Sequence, residues 1–107
     1  MAEKFSGVHW MLATPFHNDE SIDTESIVNL VDKAVSSGCQ GMVCLGVTGE
    51  AARLTDRERY QVANAVIQRS QGLPVTVGTT AGSTAAAIER SREAQELGAA
   101  AVMVSPP

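Results

Sequence analysis

Four short apolar runs alternate with three stretches of helical periodicity along this 107-residue chain. The runs cover residues 8–13, 41–45, 74–78 and 100–104. The last three are almost unbroken apolar segments, the pattern of strands covered on both faces in a parallel sheet. Successive runs begin 33, 33 and 26 residues apart, about the length of one strand, helix and connection.

The segments between them carry helix start and stop signals. The first predicted helix opens on Asp23 as N-cap, places Ile27, Leu30, Val31, Ala34 and Val35 on one stripe, and stops with Gly38 just past its end. The second opens on Thr55-Asp56-Arg57-Glu58, a capping box in which hydroxyl and carboxylate each satisfy the other residue's backbone N–H. Its stripe is Val62, Ala63, Val66 and Ile67, and Gly72-Leu73-Pro74 ends it. The third runs from a Ser83 or Thr84 cap through Ala85, Ile88 and Ala94 to Leu97, closing at Gly98.

The order β-α-β-α-β-α-β with short, right-handed connections predicts an α/β fold with a parallel sheet and outer helices. Two architectures fit, a doubly wound open sheet and a TIM (β/α)8 barrel. The nucleotide-binding open sheets usually carry GxGxxG or GxxxxGK[ST] after a strand, and neither motif is present. A barrel needs about 250 residues. On that reading residues 1–107 are a single partial domain, the N-terminal half of the barrel with strands one to four. Two strand edges and the inward side chains would lie open, so such a half is expected to be marginal, aggregated or self-paired.

An apolar content of 44% with 19% charged residues is that of a packed globular protein, and a net charge of −4 with scattered basic residues argues against nucleic acid or anionic membrane as partners. The first residues lack the apolar core of a signal peptide, so a cytoplasmic location is expected. Cys39 and Cys44 form no CxxC and have no metal-ligand spacing. They read as reduced packing residues, and neither a metal nor an organic cofactor is expected.

Candidate chemistry centres on Gly46-Val47-Thr48-Gly49-Glu50, a glycine-bracketed turn directly after an apolar run. Gly46 and Gly49 permit backbone angles closed to other residues, so successive N–H groups can converge on a small anion such as a carboxylate, with the Thr48 hydroxyl as a further donor. The bland alternative is a tight turn in which Thr48 satisfies local backbone and Glu50 braces the turn or the adjacent helix through hydrogen bonds. Thr79 and Thr80 follow the third strand on the same rim, as pocket-lining residues or as local caps. His9 and His17 have no partner at suggestive spacing and read as structural. Arg53, Arg57, Glu58 and Arg59 read as a solvated, mixed-sign helix start, Tyr60 as a helix residue, and Lys4 and Lys33 as solvated charges.

Five motifs in order cover the whole chain: Thr14-Pro15, Gly46-Val47-Thr48-Gly49-Glu50, Leu54-Thr55-x-x-Glu58-Arg59, Pro74-Val75 with Gly78-Thr79-Thr80, and Val104-Ser105-Pro106-Pro107. Together they resemble the dihydrodipicolinate synthase/N-acetylneuraminate lyase family, over about the first third of a member. The resemblance implies a (β/α)8 barrel, commonly in a homotetramer, in which pyruvate or a pyruvate-yielding 2-oxo acid forms a Schiff base with a lysine. It implies that Thr48 and the backbone of Val47 hold the substrate carboxylate. The residue before Thr48 is commonly a second hydroxyl residue that joins a proton relay in the synthase branch, and Val47 offers only its N–H there.

The same resemblance places the relay tyrosines after the fourth and fifth strands and the Schiff-base lysine at the end of the sixth, beyond Pro107. The chain therefore reads as the N-terminal portion of a class I pyruvate-dependent aldolase or lyase, holding the carboxylate turn and inactive by itself. Two rivals stay open: a truncated, non-catalytic paralogue that self-associates as a binding module, and an open-sheet phosphate binder using the same turn.

Overall fold

The computed structural model describes residues 5–105, so Lys4, Pro106 and Pro107 lie outside the described residues. Helix α1 (Thr24–Ser36) begins where the Asp23 carboxylate accepts from the Ser26 N–H, and the chain leaves it through Gly38 at φ 85°. Helix α2 (Asp56–Arg69) has the full capping box between Thr55 and Glu58. Helix α3 (Thr84–Leu97) is capped by the Ser83 hydroxyl and ends at Gly98 in the left-handed conformation. Each boundary follows from a side chain that answers an orphan backbone group.

The strands are shorter than their apolar runs: β1 (His9–Met11), β2 (Gly41–Cys44), β3 (Val75–Gly78) and β4 (Ala101–Met103). They form one parallel sheet in the order β1-β2-β3-β4. Each strand thus lies beside its predecessor in sequence, whereas a doubly wound sheet reverses direction at a switch point. That order removes the open-sheet alternative and winds the chain one way, as a barrel requires.

Alternation along the strands divides the sheet. Met42, Cys44, Val75 and Val77 join a buried cluster with Ile27, Val31 and Ala34 of α1, Val62, Ala63 and Val66 of α2, and Ala94 of α3. Burial of each large side chain contributes roughly 1.5–3 kcal/mol. The register sets Met11, Val43, Thr76 and Ala101 level with one another on the alternate positions. Two ion pairs lock the outer layer: Arg69 donates to both carboxylate oxygens of Asp32 at 2.8 and 3.0 Å, joining α2 to α1, and Arg90 meets Asp56 at 3.3 Å, joining α3 to α2.

One helix stripe departs from expectation. Of the α3 positions Ala85, Ile88, Ala94 and Leu97, only Ala94 is buried, and Ile88 is exposed. Ile88 borders a groove of about 560 Å³ between α3 and β4, which also takes in Val102 and Val104. Nothing among the described residues covers β4 on its far edge, so the apolar side chains there stay wet. Lys33 is exposed on α1, Cys44 is buried, and Cys39 is half-buried against the Ala34 and Gly41 carbonyls. No helix among the described residues is long and apolar enough to cross a membrane.

Candidate functional site at the carboxyl ends of the strands

Beyond Cys44 the chain turns at Leu45, whose φ is 59° although its side chain is buried in the core. It turns again at Glu50, φ 57°, and enters a single 3-10 turn (Ala51–Arg53). The left-handed angles expected at Gly46 and Gly49 therefore sit instead on the two non-glycine residues that flank them, and neither glycine is left-handed. Space explains the glycines. A Cβ at Gly49 would stand 3.3 Å from the Leu12 carbonyl oxygen, the Leu45 nitrogen and the Thr14 hydroxyl, and one at Gly46 would stand 3.1 Å from the Met11 sulfur. A left-handed residue with a side chain costs about 1–2 kcal/mol, so tertiary contacts must hold both ends of this turn.

Three sets of hydrogen bonds do so. Inside the turn, the Glu50 N–H donates to the Val47 carbonyl at 3.0 Å. From β1's side, the buried Thr14 hydroxyl donates to the Gly49 carbonyl. From α2, Arg59 donates through Nη1 to the Ala51 carbonyl at 3.3 Å and through Nη2 to the Gly78 carbonyl at 2.7 Å.

Arg59 corrects the sequence reading of a solvated cluster, because its exposure is only 5%. Desolvation, with the neighbouring Arg90 charge second, lowers its pKa from the usual guanidinium value. The signal was present in the helix periodicity: Arg59 stands three and four residues before Val62 and Ala63, on the buried stripe itself. Glu50 also differs from expectation, since its side chain makes no capping hydrogen bond and its backbone does the turning.

The turn forms one wall of a cleft of about 570 Å³ at the carboxyl ends of β2, β3 and β4, lined in part by Gly46, Val47, Glu50, Arg53, Thr80 and Ser105. Val47 is 93% exposed. Among the described residues, no backbone or side-chain acceptor takes the N–H groups of Val47, Thr48 or Gly49. Thr48 is exposed at the tip of the turn and is not a lining residue, while Gly49 is buried beneath it.

The two later threonines separate. Thr80 lines the cleft, and its hydroxyl accepts from the Ser105 N–H at 2.8 Å. Thr79 is buried on the helix side, where its hydroxyl lies 2.9 Å from that of Ser91, so it does not line the cleft. His9 sits at the opposite end of β1, its Nε2 3.2 Å from the Ser6 carbonyl, and His17 lies 3.8 Å from Asp23. Among the described residues no three His, Cys, Asp or Glu side chains gather as metal ligands.

Four parallel strands wound in sequence order, helices outside and a glycine-bracketed turn at the strand carboxyl ends define the N-terminal half of a (β/α)8 barrel, with its cleft on the rim where barrel enzymes hold substrates. Residues 4–107 match the profile of the Dihydrodipicolinate synthetase family, and the chain belongs to that family. It is 39% identical over 103 residues to the 4-hydroxy-tetrahydrodipicolinate synthase of Haloarcula marismortui, a match covering 96% of this chain and 34% of that protein.

Among solved structures it is similar to the dihydrodipicolinate synthase of Rhodopseudomonas palustris, with a TM-score of 0.93, 38% identity, and coverage of 97% of this chain and 35% of that one. It is also similar to the chloride-inhibited dihydrodipicolinate synthase of Acinetobacter baumannii complexed with pyruvate, with a TM-score of 0.89, 34% identity, and coverage of 92% and 34%. The chain thus spans about a third of the length of these relatives.

Proposed function

We propose that residues 1–107 are a single partial domain, the carboxylate-holding half of a class I aldolase or lyase that acts on pyruvate or a pyruvate-yielding 2-oxo acid. The observation that carries this reading is the set of unengaged N–H groups at Val47 and Thr48 beside the cleft. Two amide donors and the Thr48 hydroxyl suit the two oxygens of a carboxylate, and charge-assisted hydrogen bonds of this kind contribute about 1.5–3 kcal/mol each. Arg53 adds a positive charge on the lining. The pyruvate bound to the Acinetobacter baumannii relative supports the substrate class.

In such chemistry a lysine amine adds to the 2-oxo carbon C2 and the carbonyl oxygen leaves as water; the iminium then accepts the electron pair of the C3–C4 bond in cleavage, or of a C3–H bond in synthesis, to give the enamine. This chain's part is to bind and orient the carboxylate. Lys33 is exposed on α1 and does not line the cleft, so it is not placed to form the Schiff base. Val47 has no hydroxyl and passes no proton, so its own contribution to the turn is its N–H.

Titration of the 15N-labelled chain tests this. Pyruvate should shift the Val47 and Thr48 amide resonances with a saturable response that phosphate does not reproduce, and borohydride with pyruvate should leave no covalent adduct. A response to phosphate alone, or a stable adduct, overturns the reading. The exposed apolar side chains on the outer strands, Met11, Val102 and Met103, favour a second reading as a self-associating binding module. A discrete folded dimer in solution supports it.

A further inference from the structure

Arg59 is the one buried charged side chain among the described residues, and no carboxylate there pairs with it. A buried cation with no carboxylate in contact is costly, with Asp56 and Glu93 acting on it only at longer range, so the destination of its hydrogen bonds shows what it holds. One donor reaches Ala51, directly after the left-handed Glu50; the other reaches Gly78, the last residue of β3. Gly78 in turn lies against the left-handed Leu45, so close that a Cβ at 78 would fall on the Leu45 carbonyl oxygen. The guanidinium therefore ties the far end of the turn to the strand that supports its near end. Between the two ends stand Val47 and Thr48 with their N–H groups unengaged.

We propose that Arg59 is a positioning residue for the carboxylate-holding turn: by bridging the Ala51 and Gly78 carbonyls it keeps Leu45 and Glu50 left-handed and leaves the Val47 and Thr48 N–H groups free for a 2-oxo acid. The ligand part of this inference rests on the carboxylate reading above; the conformational part does not. Arg59 touches no substrate in this scheme. A planar fork with several donors spans two carbonyls, whereas an ammonium is a point donor, so lysine does not replace it.

The test compares R59K with V62A, which shortens a buried side chain on the same helix face, in the 107-residue chain. Three readouts are taken: the one-bond Cα–Hα couplings of Leu45 and Glu50, which together with the intraresidue HN–Hα NOE report the sign of φ, the pyruvate titration, and urea denaturation. R59K should lose the left-handed couplings and bind pyruvate about tenfold more weakly, as expected for one mispositioned hydrogen bond. V62A should lose stability while keeping both the couplings and the affinity. R59Q, which retains a donor without the buried charge, supplies the same readouts if R59K does not fold.

Left-handed couplings and unchanged affinity in the Arg59 variants overturn the proposal, as does a loss of affinity that V62A reproduces at equal stability. If the wild-type chain shows no pyruvate response, the carboxylate reading fails, and the couplings alone still decide the role of Arg59.

Discussion

The hydroxyl of Thr14, in the loop after β1, donates to the carbonyl of Gly49 at 2.5 Å across 35 residues of sequence. This bond anchors the floor of the turn to the neighbouring βα unit, and both residues are buried. Thr14→Val should leave the Gly49 carbonyl without its partner and destabilise the fold by about 1–3 kcal/mol, while Thr14→Ser should retain most of the wild-type stability. Urea denaturation of the three chains measures the difference; equal midpoints for valine and threonine would show that the bond contributes nothing net.

Two glycines near the cleft should respond differently to alanine. At Gly78 the added methyl meets the Leu45 carbonyl, which is main chain and cannot step aside, so a loss of about 1–3 kcal/mol is expected. At Gly46 it meets the Met11 sulfur at 3.1 Å and the Met103 methyl at 3.4 Å, ends of flexible side chains, and the loss should stay under about 1 kcal/mol. The reverse order in thermal or chemical denaturation would contradict this geometry.

Burial pushes the Cys44 thiol up to about 12, the Arg59 charge opposing this only in part. At about pH 8 the thiolate is therefore scarce in the folded chain, and alkylation of Cys44 should proceed only through opening of the core. Peptide mapping by mass spectrometry should find Cys44 unmodified under native conditions and modified in urea, with a rate that follows the fraction unfolded.

Acid should weaken the outer layer. The Arg69 hydrogen bonds hold the Asp32 carboxyl below its ordinary value of 3.8, and the Ser26 hydroxyl and N–H do the same for Asp23. A carboxyl whose folded pKa is depressed stabilises the fold fully above its unfolded value and loses that contribution as pH falls through the folded one. Asp32→Asn should therefore be less stable than wild type at about pH 7 and converge with it at about pH 2. Parallel curves across that range would assign the ion pair no part in stability.

The architecture was legible because its signals are local. Asp23, the pair Thr55 and Glu58, and Ser83 each announce a helix start through a bond to a backbone N–H three residues away, and Gly38 and Gly98 announce ends. The turn after β2 was legible in position but not in mechanics. Glycines at 46 and 49 suggested unusual backbone angles, whereas the structure uses them for clearance and sets the angles at Leu45 and Glu50. That choice depends on Thr14 and Arg59, partners far away in sequence, which no local window contains.

The charge of Arg59 suggests a solvated position, whereas its place on the Val62 and Val66 stripe argues for the burial it has. The side assigned to Thr79 could not be fixed before the register of β3 was known, since a shift of one residue exchanges the cleft for the helix layer. Ile88 kept its place in the α3 pattern but not its burial, because a repeat pattern does not say where the covering neighbour stops.

The sequential order of the strands has one more consequence. Every strand-to-strand pairing joins successive members of the series, so ordering can spread like a zipper from any one unit without waiting for distant ends to meet.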